Sequence, residues 1–136
     1  VAEASSLLEM LRKLEPRLHE EKYCYTEVPI ESDWAAMQPV ASIREDDCMS
    51  LIVAADVAKH RALPELLEVA WIALELHSEL AAVGLTAAIA TAFAQQSIPC
   101  NVVAGARHDH IFVPWKQRHQ ALSVLLALQA QQQSPV

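Results

Sequence analysis

Basic charge is in short supply in this chain. Ten Lys and Arg residues stand against seventeen Asp and Glu, a formal net charge of -7, and no polybasic run interrupts the balance. A protein that grips a nucleic-acid backbone needs a basic face to displace counterions from phosphates, so this balance argues against that class. Cysteine is sparse too. Cys24, Cys48 and Cys100 lie far apart with no CxxC spacing, and an odd number cannot all pair. This predicts reduced thiols, no zinc knuckle, and a cytoplasmic protein. No membrane-length apolar run is present either: LAAVGLTAAIATAFAQQ comes closest, but it carries Gly84 and Thr86 and ends in glutamines, so it reads as a buried helix. What the chain does have is 53% hydrophobic residues in a length of 136, enough for one ordinary core, or two very small modules that share one, but not for two independent domains.

The hydrophobic pattern divides the chain into elements. SSLLEMLRKLEP has Ser6 and Glu9 in capping-box spacing, a Leu7, Leu8, Leu11, Leu14 stripe and a stop at Pro16, which predicts a helix with one buried face. EKYCYTEVP reads as a strand, and PIESDWAAMQP as a loop anchored by Trp34. VASIREDDCMSLIVAADVA predicts a hairpin turning at Glu45 to Cys48. LPELLEVAWIALEL becomes a strand apolar on both faces, as a central strand is. After Gly84 the period lengthens, with Leu85, Ile89, Ala92 and Phe93 on one helical face. CNVVA and HIFVP then form two strands about the GARHD turn, and a last helix follows Pro114 with Ala121, Leu122, Leu125 and Leu128 inward. QQQSPV is expected to be a disordered tail.

This order predicts an α+β protein. The halves are residues 1–66, a helix plus three strands, and residues 67–130, with residues 131–136 as the tail. A βαββαβ module needs one more strand than the second half contains, so a strand from the first half, expected to be MSLIVAADVA, should complete it.

Two stretches could carry chemistry. In HDHIFVP, His108 and His110 would project from one face of a strand about 7 Å apart, with Asp109 on the other. A metal would need a third ligand, for which His77 and Glu79 are the available polar cluster; otherwise both histidines are hydrogen-bonded strand or turn residues. Cys100 with either histidine makes a poor nucleophile pair, because nothing beside it would depress its pKa. The second stretch starts at Gly84. The amides of Leu85, Thr86 and Ala87 head a helix and lack intrahelical acceptors, which suits a carboxylate, while glycine lets a guest approach the backbone. Alternatively, Gly84 only makes the turn. Asn101 and Asp109 supply the polar company, and an acid beside a carboxylate receptor suits a free amino acid with its ammonium group.

VGLTAAIATAFAQQSIPCNVV followed by HDHIFVP resembles the ACT domain, a small regulatory module of amino-acid metabolism. With REDD and SLIV upstream the chain is similar to stand-alone bacterial ACT proteins built from two repeats. The likeness covers about four fifths of the chain, is poor before Val40 and strongest between Trp71 and Leu125; Cys48 departs from it, standing where a glycine is usual. The resemblance implies two intertwined ferredoxin-like modules with an antiparallel sheet backed by helices, and ligand sites at interfaces between ACT units. It places Val83, Gly84, Leu85 and Thr86 at a carboxylate, Asn101 and Val102 as polar and backbone contacts, and Asp109 at the ammonium. The expectation is an amino-acid-sensing regulatory protein, not an enzyme, without a cofactor, forming a homodimer and acting on a regulated enzyme, with no nucleic-acid or membrane partner. The competing readings are a ligand-free module docking through its sheet and a metal-dependent hydrolase using His108 and His110.

Overall fold

A computed structural model of the chain describes residues 2–132. Helix α1 (Ala2–Arg12) leads to strands β1 (Pro16–Leu18), β2 (Tyr23–Val28), β3 (Ala41–Arg44) and β4 (Met49–Ala54), helix α2 (Ala55–His60) and strand β5 (Leu67–Leu74). Helix α3 (Leu85–Gln95), strands β6 (Asn101–Ala104) and β7 (Asp109–Pro114) and helix α4 (Arg118–Gln131) complete it. Most of this follows the apolar periodicity. The hairpin turns where the acidic run predicts, with Glu45 N donating to Cys48 O at 2.9 Å. Several details differ, among them an extra short strand, β1, that makes four strands in the first half where three are expected. Helix α1 begins before Ser6, so Ser6 and Glu9 lie within it. In the PIESDWAAMQP segment a short 3-10 turn, Trp34–Met37, buries Met37, while Trp34 packs only part-buried against the same cluster. The end of MSLIVAADVA leaves the sheet as α2, because a short apolar run satisfies helix and strand alike. At the C-terminus α4 takes in Gln131, and the rest of the expected tail from residue 133 lies outside the described residues.

The sheet has seven strands, ordered β3-β4-β2-β5-β7-β6, with β1 also paired to β5. Every pairing is antiparallel. Strand β5 is central, and one of its edges is shared: Leu74 to Ile72 pair with β1, Val69 to Leu67 with β2. Two ferredoxin-like orders result, β5-β2-β4-β3 and β1-β5-β7-β6, with β5 common to both. The second module is indeed completed by the first half of the chain, but by β1 and not by MSLIVAADVA. Met49–Ala54 lies between β2 and β3, and the edge of β5 is already occupied. Helix α1 follows β1 into that module, packing against α3 and α4. Leu11 and Leu14 therefore sit in one core with Ile72, Ile89, Phe93 and Leu125, the last five of these six fully buried.

The helices cover one face of the sheet; the other face covers itself. Six adjacent strands spaced about 4.8 Å apart would put β3 and β6 about 24 Å apart in a flat sheet. Instead Val40 and Ala41 at one edge line the same small cavity as Val103 at the other. The sheet is rolled into an incomplete barrel, as accumulated strand twist allows. That explains why Ile52, Val69 and Phe112 are buried on a face that carries no helix.

Candidate functional site

The residues between β5 and α3 cross the end of the sheet and are tied there by Ser78 N, which donates to Arg107 O at 3.0 Å in the β6–β7 turn. Gly84 then turns the chain into α3 with φ +99°, a left-handed conformation that glycine adopts without steric cost. The first helical bond runs from Ala88 N to Gly84 O at 3.0 Å. The amides of Leu85, Thr86 and Ala87 precede that ladder, and Gly84 has no side chain to cap them. Beside this turn β7 begins. Asp109 is the one charged side chain among the buried described residues, 9% exposed, and its Oδ2 accepts a hydrogen bond from buried Ser78 Oγ at 3.1 Å.

Ser78, Glu79, Leu85, Thr86, Gly105 and Asp109 together line a cleft of about 50 Å³. Two carboxylates and no cationic side chain line it, so it favours a positive group; the uncapped helix start on its other wall favours a negative one. A zwitterion answers both. The cleft has room for one or two water-sized groups, so only the charged end of such a guest fits. The remainder would lie outside, toward Leu80 and Val83, which are 70% and 69% exposed.

Of the residues singled out from sequence, Leu85, Thr86 and Asp109 converge here. Gly84 does not line the cleft. A Cβ on it would stand 3.1 Å from Leu7 Cδ2, on the side facing the groove between α3 and α4. Gly84→Val is thus expected to act through stability and not by blocking a guest. The left-handed backbone and the Leu7 contact should together cost about 1–3 kcal/mol, read as a lower urea midpoint with an unchanged m-value. Val83 is exposed and does not line the cleft, and Val102 faces the helices, part-buried against the core. Asn101 pairs with Phe112, three residues from the Ala104–Asp109 pair, and strand alternation puts it on the opposite face of the sheet from Asp109. Ser78 and Gly105 were not legible. Each reaches the cleft through a loop whose course local patterns do not encode.

The histidines are otherwise engaged. His110 Nδ1 accepts a hydrogen bond from Trp71 Nε1 at 3.1 Å, and burial pushes the imidazole below its usual pKa, with His108 adding to the effect. His108 lies near His77, ring centroids 6.3 Å apart. Among the described residues no three His, Cys, Asp or Glu side chains converge in a way that could hold a metal ion. Burial raises the Cys100 thiol, which works against a thiolate nucleophile. No described helix is long and apolar enough to cross a membrane.

ACT-domain family models match residues 4–69 and residues 67–127. Among solved structures, the chain is similar to VC0802 from Vibrio cholerae, a protein of unknown function described as a possible transport protein. The identity is 37% and the TM-score 0.83, over 93% of this chain and 98% of that one. It is also similar in fold to Atu0741 from Agrobacterium tumefaciens, at 15% identity and TM-score 0.62 over 86% and 90% of the two chains. The regulatory subunit of aspartate kinase from Thermus flavus shares the fold at 13% identity and TM-score 0.59, over 84% and 96%. Curated proteins provide no significant match. Two successive family matches and two interlocked ferredoxin-like modules agree, and the chain belongs to the ACT-domain family.

Proposed function

We propose that this protein is a cytoplasmic regulatory sensor of a free amino acid, working as a homodimer on a partner enzyme and not catalysing a reaction itself. The observation that carries the reading is the buried Asp109–Ser78 pair set against the uncapped first turn of α3. Asp109 would take the ammonium group and the amides of Leu85 and Thr86 the carboxylate. Val83 would border the guest's side chain, and a second ACT unit would close the cleft that one chain leaves shallow. Regulation fits the family, and the fold shared with an aspartate kinase regulatory subunit supports it. Ser78 donates to a carboxylate and not to an imidazole, which favours a binding role for it over a nucleophilic one.

Thermal unfolding of the protein in the presence of each of the twenty amino acids at millimolar concentration tests this. At least one should raise the melting temperature in a concentration-dependent way, because a ligand bound only by the native state stabilises it by mass action. A flat screen would overturn sensing in favour of a docking module without a ligand.

A further inference from the structure

We infer that the interior of the rolled sheet is a second binding site, for a small, flat, uncharged molecule that carries a hydrogen-bond acceptor. The cavity measures about 260 Å³ and is lined by Val40, Ala41, Trp71, Val103, His110 and Phe112. Apolar cavities of about 150 Å³ stay dry and take up benzene, so this one suits a guest of one or two rings. No Lys, Arg, Asp or Glu contributes to the lining, and a charged guest would lose its hydration without compensation.

The aromatic wall is held in place before any guest arrives. His19 stacks on the Trp71 ring at 3.7 Å between centroids, Tyr23 meets it edge-on at 5.4 Å, and Phe112 lies near-parallel at 6.2 Å. Trp71 Nε1–H is donated to His110 Nδ1. That bond settles the tautomer: a neutral His110 accepting at Nδ1 carries its proton on Nε2 and can offer a guest only a donor. His110 is the one polar side chain in the lining apart from the Trp71 indole, whose N–H is already used. The guest's single polar requirement is therefore an acceptor. The cavity lies on the helix-free face, whereas Asp109 faces the helices, so the two sites are separate.

Quinoline and indole are near-isosteric bicycles, the first a hydrogen-bond acceptor and the second a donor. The full chain is titrated with each while the Trp71 indole N–H signal is followed in ¹H–¹⁵N spectra, that signal being identified by its absence in Trp71→Phe. Quinoline should shift it saturably and bind about tenfold more tightly than indole, the worth of one hydrogen bond. Val103→Phe, which fills the cavity, should abolish the shift, and Ala41→Phe does the same from the opposite edge should the first variant fail to fold. Absence of a saturable shift, survival of the shift in a folded cavity-filled variant, or equal affinity for indole would each overturn the proposal.

Discussion

Replacing Leu14 with alanine is expected to destabilise the whole protein by about 2–5 kcal/mol, the range for emptying a buried leucine site. Leu14 is fully buried just before β1, and its carbonyl receives Leu76 N at 3.3 Å, just beyond β5. It belongs to the same core as Ile72, Phe93 and Leu125, more than fifty residues away in sequence. With single-domain stabilities of about 5–15 kcal/mol, such a loss is a large share of the total. Because β5 serves both modules, the loss should appear in one cooperative urea transition reported identically by both halves. A cost below about 1 kcal/mol, or a first module that stays folded while the second melts, would show that the N-terminal segment is an accessory and not the missing strand of the second module.

The second large effect is at Asp109. Asp109→Asn keeps the shape and can still accept the bond from Ser78 Oγ, so its stability should stay within about 1 kcal/mol of the parent. Asp109→Ala leaves Ser78 Oγ buried without its acceptor and should cost about 1–3 kcal/mol while the fold persists. Both should remove the melting-temperature rise produced by an amino acid, since neither offers a negative charge to an ammonium group. Calorimetric titration of the stabilising amino acid checks this independently of the change in baseline stability. Retained affinity in the asparagine variant would show that Asp109 recognises the guest by shape or neutral hydrogen bonding, and the ammonium would have to be held elsewhere.

The candidate site was partly visible beforehand. The turn at Gly84 announces itself because a glycine precedes a long run with helical period, and Asp109 because it opens an apolar strand. Asn101 shows the limit of that reasoning. It is a polar residue at a strand start just as Asp109 is, yet the two occupy opposite ends and opposite faces of one hairpin. Which face an alternating strand turns toward a ligand depends on register, and a shift of one residue inverts it. Ser78 carries no local signal at all, since its partner Asp109 is thirty-one residues away.

Residue order alone determined the acidic character of the protein, most of the α+β succession of its elements, the glycine-led turn at Gly84 and the resemblance to ACT domains. These rest on composition, on periodicity and on the conformational freedom of single residues, all of which act over a few positions of chain. Tertiary structure alone decided that Pro16–Leu18, three residues too short to show a period, would occupy the edge of β5. It also decided that the sheet would roll until its two edges share a cavity, and that Ser78 would meet Asp109. Those outcomes come from pairing and packing between distant segments, where the winning arrangement is the one that leaves the fewest strand edges and apolar faces open to water.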